Sequence, residues 1–458
     1  MNTLILISVI PIVLLYLGLY KVQKALLPVT VIGLVAALVL ALVQWNDVAM
    51  PIYHGMMLFD NFSIAFSGLT IISTILILLL SKDYFEKISN HIAEYYAIIL
   101  FALAGIVVMV SYNNLTMLFI GIEIMSVSLY ILAGIKKNDF ASNEAALKYF
   151  LMGAFSTGFL LFGITLIYGA SGSFNLEDIR NYALVTPHID PLFYTGIILI
   201  IVGLCFKVGA APFHFWTPDV YDGSPTLITT FMSTVVKTAG FAAFLRLFSA
   251  CFAPLSGFWV PVLLAICIAT LFIGNITALY QQSFKRMLAY SSISHAGYLL
   301  FAIVALGAGS ANSVLVYATA YSVASIIAFG TLILIQQQTG SDNFDSFNGL
   351  SQRNPFLAFV LTVAMLSLAG IPLTAGFIGK FYMFTGALGH YQVWLVIIAV
   401  INAIISIFYY FRVIIAMYFR SDDRAEVIVP AYYKFVLGFS ALATIIIGIY
   451  PVLISGLI

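Results

Sequence analysis

Five ionisable residues stand where hydrocarbon is expected: Glu123, Lys207, Lys237, His295 and Lys380, each inside a run of apolar residues. A lysine near the bilayer centre costs about 2.5–3.5 kcal/mol on insertion scales, so such residues mark ion or proton pathways. Each of the five holds or releases one proton. A lone buried glutamate is kept neutral by desolvation, but beside a cation it ionises and holds that cation charged. Lysine shifts readily between its charged and neutral forms when buried. Histidine exchanges its proton nearest neutral pH; a single one inside a span can equally be a structurally satisfied residue. Spread over five helices, this set reads as a proton relay. The sequence shows no paired carboxylates for a metal, no repeated histidines at haem spacing and no glycine-rich nucleotide loop.

Two of the five lie at helix breaks. Lys207 ends the apolar run from Phe193 and precedes Pro212 by five residues, in GLCFKVGAAPFHFWTPDVYDGSP. Lys380 follows Pro372 by eight residues in LAGIPLTAGFIGKFYMF, with Gly376 and Gly379 between them. Proline removes a backbone donor and disrupts the turn before it. Broken helices persist at membrane depth where they are enclosed by protein or line a water cavity, which is the usual setting of an ion site in transporters. Lys237, in FMSTVVKTAGF, lies deep within the eighth span, roughly 20 Å along it at ~1.5 Å per residue. Lys148, Arg246, Arg412 and Lys434 lie nearer span ends and read as snorkelling side chains. Glu144, close to Lys148, reads as half of an interfacial pair.

The elements that carry these residues follow from composition. The chain of 458 residues is 62% hydrophobic and 8% charged, far below the quarter charged of a soluble domain, so nearly all of its mass belongs in a bilayer. A net charge of +1 gives no reason to expect nucleic acid. Cys205, Cys251 and Cys267 sit in apolar runs without CxxC spacing and read as core residues, not as a disulfide framework or an iron–sulfur site. The N-terminal run lacks a basic n-region and a cleavage site, and reads as a retained first span.

At ~20 apolar residues per span, the sequence predicts an all-α polytopic membrane protein with about fourteen transmembrane helices in one domain, 1–458. They run roughly 3–20, 27–44, 60–81, 94–111, 114–135, 148–170 and 193–212, then 224–248, 257–280, 287–309, 313–336, 356–388 (long and interrupted), 392–417 and 433–457. With the N-terminus outside, the inside loops hold Lys21, Lys24, Lys82, Lys87, Lys136, Lys137, Lys285, Arg286, Arg353, Arg420 and Arg424, and the outside loops hold only Arg180. That imbalance puts both termini outside. The inside loop after the seventh span is anomalous, with Asp219 and Asp222 and no basic residue. The broken seventh and twelfth spans are five helices apart, and an odd offset inverts orientation. This suggests two inverted five-helix repeats, spans 4–8 (94–248) and 9–13 (257–417). The match in sequence is weak, since Lys207 precedes its proline and Lys380 follows its own.

From the third span to the thirteenth, the stretches GIEIMSVSLYILAG, NEAALKYFLMGAFSTG, FKVGAAPFHFWTPDVYDGSP, KRMLAYSSISHAGY and LAGIPLTAGFIGKF resemble the antiporter-like membrane subunits of respiratory complex I, the NADH–quinone oxidoreductase. Some members carry glutamate at the position of Lys380 or extend past the last span in a long lateral helix. This chain has lysine there and ends shortly after span fourteen. The resemblance implies proton translocation driven by redox chemistry in other subunits. Glu123 would stabilise protonated Lys207, and the proton would pass through Lys237 and His295 toward Lys380. It also implies no cofactor on this chain, with flavin and iron–sulfur clusters in other subunits and no quinone site here. The partners would be other membrane subunits of the complex, lipid and protons. The location would be a bacterial inner membrane, with both termini on the periplasmic side. A subunit of a sodium/proton antiporter is the alternative with similar motifs, and a lipid-facing scaffold without transport is the third possibility.

Overall fold

In a chain this apolar every backbone polar group at membrane depth must be satisfied internally, which leaves the α-helix as the default element. The computed structural model describes residues 2–47, 51–88, 91–307, 309–388, 393–422 and 424–458, and these are helical throughout apart from turns, loops and isolated backbone bridges. The first five helices are α1 (Asn2–Leu19), α2 (Gln23–Val43), α3 (Asn61–Leu79), α4 (Ile92–Ser111) and α5 (Leu115–Ala133). Next come α6 (Phe140–Ser171), the short α7 (Leu176–Val185), α8 (Pro191–Val208), α9 (Trp216–Gly223), α10 (Thr226–Phe231) and α11 (Lys237–Ala250). The rest are α12 (Ser256–Leu279), α13 (Phe284–Val304), α14 (Ser310–Thr339), α15 (Leu350–Arg353), α16 (Pro355–Ala369), α17 (Ala375–Leu388), α18 (Val393–Phe419) and α19 (Ala431–Ile449).

Among the described residues thirteen helical segments are long and apolar enough to cross a membrane, counting α10 and α11 as one. The two-piece α16–α17 supplies the fourteenth crossing that the sequence predicts. Two boundaries differ from expectation by eight residues. α6 begins eight residues early, at Phe140, because Glu144 and Lys148 pair at 2.8 Å one turn apart and extend the helix beyond its apolar part. α19 stops at Ile449, since Pro451 has no N–H to continue it. The expected start of the thirteenth span, 392, lies outside the described residues. The loop near 171–192 holds the amphipathic α7, which the span count did not foresee.

The loops sort to two ends. At one end the backbone pairs Met57 with Tyr112 and Asn114 with Asn175, and the Gly456 N–H donates to Asn312. At the other, Ser283 pairs with Asn343, Lys87 donates to Gln337, and Gln338 donates to the carbonyls of Ala425 and Glu426. This alternation is what fourteen crossings require. The helices α11, α13 and α14 are almost wholly enclosed, while α1, α2, α6, α12 and α18 present apolar outer faces. Two of the enclosed spans, α10–α11 and α13, have the lowest mean hydropathy of these thirteen segments, 1.4, because an enclosed hydroxyl or ammonium finds partners in neighbouring helices.

Close helix approach fixes α5, the carrier of Glu123. Gly105 on α4 and Gly121 on α5 face each other, and a Cβ on Gly121 would lie 2.8 Å from the Met109 backbone nitrogen. Small residues at such crossings let backbones meet. Gly121→Ala should therefore force the pair apart and destabilise the chain by about 1–3 kcal/mol, measured as a lower thermal midpoint of the purified membrane assembly.

Two turns, after α6 and after α14, share one geometry. After α6, Gly172 turns the chain at φ +73, and the Asn175 N–H donates to Ser173 Oγ at 3.1 Å. After α14, Gly340 does the same at φ +70, and the Asn343 N–H donates to Ser341 Oγ at 3.2 Å. The first turn caps the start of α5, with the Leu115 N–H donating to the Phe174 carbonyl at 2.9 Å. The second caps the start of α13, with the Phe284 N–H donating to the Asp342 carbonyl at 2.8 Å. The two turns stand at opposite ends of the bundle.

Candidate functional site

α8 and α16 both end in a glycine in the left-handed region, Gly209 at φ +73 and Gly370 at φ +85. Each ends its helix at a break, where the last carbonyls form the negative end of a helix dipole. Lys207 sits in the last turn of α8. Lys380 comes from α17, and its ammonium reaches back across the break to donate to the carbonyls of Leu368 at 3.1 Å and Ala369 at 2.8 Å. Lys380 thus serves the broken end of α16, whereas Lys207 stands within the last turn of α8 and donates to α5 instead. Gly370 is required here twice over, by its φ and because a Cβ would lie 2.8 Å from Lys380 Cδ. The Tyr298 ring covers the Lys380 ammonium at 4.9 Å.

Lys207 is buried and donates to Ser126 Oγ at 2.8 Å, between the rings of Tyr130 and Phe206. Glu123 lies one turn before Ser126 on α5 and acts on Lys207 by charge, but among the described residues no ion pair within 4.0 Å joins them. Its Oε1 is buried with no hydrogen-bond partner among the described residues. Glu123 and Lys207 therefore have no direct ion pair among the described residues, and a serine hydroxyl holds the ammonium.

Lys237 begins α11 directly after a π-helical segment, Met232–Val236, a wide turn common at functional sites. Its ammonium donates to the Ser292 carbonyl at 2.5 Å and to the Ser292 hydroxyl, with the Tyr321 ring at 5.9 Å. His295, three residues beyond Ser292 on α13, is clamped between two phenols. Its Nδ1 is 2.7 Å from the Tyr317 hydroxyl and its Nε2 3.0 Å from the Tyr410 hydroxyl, which in turn meets Ser291. A neutral imidazole donates through one nitrogen and accepts through the other. Both Lys237 and Lys380 lie within electrostatic reach of this ring. The structure therefore gathers Lys237, His295 and Lys380 into one polar core, with Lys207 and Glu123 to one side of it. No hydrogen bond among the described residues connects the Ser126–Lys207 contact to the Lys237 shell.

Several residues of this site escaped the sequence reading. Ser126, Ser292, Tyr317, Tyr321 and Tyr410 are too common in membrane helices to be singled out one by one. The line Thr226, Thr230, Ser233 and Lys237 did carry a signal, since spacings of four, three and four put them on one helix face. In space they descend from a polar cavity of about 400 Å³ toward Lys237, with Thr226 donating to Gln336 at 2.7 Å, Thr230 to the Thr226 carbonyl at 2.8 Å and Ser233 to the Thr230 carbonyl at 3.1 Å. Lys136, Asp139, Asp222 and Lys285 line that cavity. Lys285, expected in a loop, is buried and donates to the carbonyls of Asp222 at 2.7 Å and Ser224 at 2.6 Å, completing the end of α9. Arg246, read as snorkelling, is instead buried in an ion pair with Asp60 at 2.5 Å and lies on the Phe62 ring. Arg412 also does more than snorkel, donating to the Gln281 carbonyl at 2.9 Å.

The anomalous acidic loop is explained in the same way. Asp219 binds Lys148 at 2.7 Å and Arg286 at 2.9 Å, so its counter-charges come from α6 and α13. Burial pushes the Asp219 carboxyl up, but the hydrogen bonds and charges of Lys148 and Arg286 outweigh it and hold it below the usual range. A lowered carboxyl stabilises the fold above its unfolded value and loses that effect as pH falls through the acid range. The side chain is 36% exposed, so screening limits the gain. Asp219→Asn should lower the thermal midpoint by a few degrees near neutral pH and by less in acid, in calorimetry of the solubilised assembly.

The three cysteines are buried and unpaired, and among the described residues no three histidine, cysteine or acidic side chains gather as a metal site. Residues 112–406 match the family model described as NADH:quinone oxidoreductase/Mrp antiporter, TM. The chain is 40% identical to NADH-quinone oxidoreductase subunit N of Flavobacterium psychrophilum over 98% of each chain, and 41% identical to that of Flavobacterium johnsoniae over 100% of each. The chain belongs to the NADH-quinone oxidoreductase subunit N family. In structure, this subunit N relative matches a chain of respiratory complex I from Thermus thermophilus, solved with bound Aureothin, at a TM-score of 0.84 and 32% identity over 98% of each chain. A chain of the Mrp complex from Dietzia sp. DQ12-45-1b matches at a TM-score of 0.89 and 18% identity, over 99% of this chain and 95% of that one, which is a likeness of fold.

Proposed function

We propose that this chain is a proton-translocating membrane subunit of an NADH:quinone oxidoreductase, moving protons through Glu123, Lys207, Lys237, His295 and Lys380 under the drive of redox chemistry in other subunits. One observation carries this. The three deep lysines are held by neutral groups, namely Ser126, the Ser292 hydroxyl and carbonyl, and the carbonyls of Leu368 and Ala369. An ion-paired lysine is locked in its charged form, because losing the proton strands its buried partner. A lysine on hydroxyls and carbonyls keeps partners whether charged or neutral. By contrast, Arg246 and Lys148 at the bundle ends are ion-paired and fixed.

The unpartnered Glu123 Oε1 supports a tuning role, in which the carboxylate biases the charge on Lys207 through space. Glu123→Gln should slow turnover several-fold, and Lys207→Ala should slow it at least as much. Proton uptake by inverted membrane vesicles on NADH addition is the test. Wild-type uptake in both variants would make the pair structural. Sodium-dependent uptake in the same vesicles would select the antiporter alternative.

The matched turns after α6 and α14 support two inverted units, 94–248 and 257–417. Flavin, iron–sulfur clusters and the quinone site then belong to other subunits, with the remaining membrane subunits, lipid and protons as this chain's partners. The charge separation between loops supports a bacterial inner membrane with both termini on the periplasmic side. Reporter fusions at Ile458 and in the loop 136–139 should read opposite sides; the same side for both would overturn this topology.

A further inference from the structure

Lys237 is the first residue past the π turn Met232–Val236, in a span wholly enclosed by protein. An i→i+5 turn holds about one residue more than the α turn it replaces, so this span carries one extra residue between two anchored halves. Upstream, Thr226 donates to Gln336 at 2.7 Å and Thr229 to the Tyr221 carbonyl at 2.8 Å. Downstream, the Ala243 carbonyl accepts from the Tyr112 hydroxyl at 2.8 Å, and Arg246 pairs with Asp60. With both halves held, the extra residue cannot leave the span, but the wide turn that absorbs it can sit anywhere between the anchors. At its present place the Thr230 carbonyl accepts from the Ser233 hydroxyl at 3.1 Å and the Thr234 hydroxyl at 2.7 Å, bonds that compete with the α ladder.

When the wide turn moves one step toward the C-terminus, each residue it passes takes the place now held by its successor, a rotation of about 100° and a rise of about 1.5 Å. Lys237 then stands where Thr238 is, and Val236 where Lys237 is. Thr238 faces α14, with its hydroxyl 3.4 Å from Ser322 Oγ, a loose contact that leaves the serine free capacity. This span and α14 run antiparallel, since Thr226 meets Gln336 while Thr238 meets Ser322. Side chains lean toward the N-terminus of their helix, so the longer lysine stem at that place passes Ser322 toward Ser325, one turn on. Both serines are buried. The Tyr321 hydroxyl faces Ser292 and Ser325 alike and so stands between the two positions.

We propose that Ser322 and Ser325 form a second seat for the Lys237 ammonium, reached when the π turn moves past Lys237. The seat rests on the proton-transfer function proposed above. The move breaks no covalent bond and transfers no proton: the ammonium leaves Ser292 with its three protons and donates to the α14 hydroxyls instead. Ser322 and Ser325 are then positioning residues. The charge is re-aimed from α13 to α14 while both ends of the span stay in place, so no helix has to slide.

Three arms test this on the intact complex. Cryo-EM during NADH turnover should show two classes, one with Lys237 on Ser292 and one with the π turn shifted, Lys237 on α14 and Val236 against Ser292. A π turn at Met232–Val236 in every class overturns the proposal, whatever the variants do. In the second arm, deletion of Val235 removes the extra residue, so the helix closes as α with both halves in register and Lys237 still on Ser292. Proton uptake should nevertheless fall at least about ten-fold, because the lysine can no longer be re-aimed. Wild-type uptake in the assembled deletion variant makes the wide turn a packing feature and overturns the proposal. In the third arm, Ser322→Ala with Ser325→Ala should lower uptake at least about five-fold, while Ser322→Thr with Ser325→Thr keeps the hydroxyls and should hold it near wild type. Wild-type uptake in the alanine pair, or equal loss in both pairs, overturns the seat. If the deletion variant fails to assemble, the maps and the serine pairs decide. Wild-type uptake with Lys237→Met would instead sink the underlying function and is scored separately.

Discussion

Complex assembled with Lys380→Arg should oxidise NADH at a reduced rate and lose proton uptake into vesicles by at least about ten-fold, equivalent to about 1.4 kcal/mol of lost stabilisation along the transfer path. Arginine keeps the positive charge, and its guanidinium can still donate to the carbonyls that end α16, so the electrostatic role of Lys380 survives. What it cannot do is give up a proton inside a protein. Lys380 donates only to the Leu368 and Ala369 carbonyls and lies under the Tyr298 ring, with no acidic partner within 4.0 Å among the described residues. Its surroundings thus tolerate the neutral amine that a proton carrier must pass through. Assembly is checked by native gel and by NADH oxidation. Normal uptake in a fully assembled arginine variant would remove Lys380 from the proton path and leave it as a neutraliser of helix-end carbonyls.

Lys237→Met should separate function from stability more sharply. Uptake should fall by at least about ten-fold, again about 1.4 kcal/mol, while the thermal midpoint stays level or rises. Burying an ammonium is costly, and replacing a buried charge by an apolar side chain of similar volume is often neutral or stabilising. The partners left behind are mild to orphan. The Ser292 carbonyl is a helical acceptor, and the Ser292 hydroxyl can turn to a carbonyl one turn back. A carboxylate partner would have been stranded, but none is there. Scanning calorimetry and vesicle uptake on one preparation give both numbers. A large drop in midpoint with uptake preserved would mean that Lys237 holds α11 to α13 and does not carry protons.

The crossing number, the alternation of loops and the five candidate residues were legible in the sequence because each rests on a cost local to a segment. An apolar run must be helical in a bilayer, and a charge inside it must be enclosed. Lys207, Lys237, His295 and Lys380 could be found in that way with no knowledge of what surrounds them. Their partners could not. Ser126 rather than Glu123 meets the Lys207 ammonium, and the Leu368 and Ala369 carbonyls meet Lys380. Those choices depend on how far α17 folds back on α16 and how closely Gly105 and Gly121 let α4 and α5 approach. The reading of Arg246 failed for the same reason, since Asp60 is 186 residues away in sequence and reaches it only through packing of α3 on α11. By itself the sequence determined which groups must be buried in the membrane, because burial follows from hydropathy along the chain. Only the tertiary structure decided that the lysines rest on neutral acceptors, because hydrogen bonds of about 3 Å are set by helix contacts that no local pattern encodes.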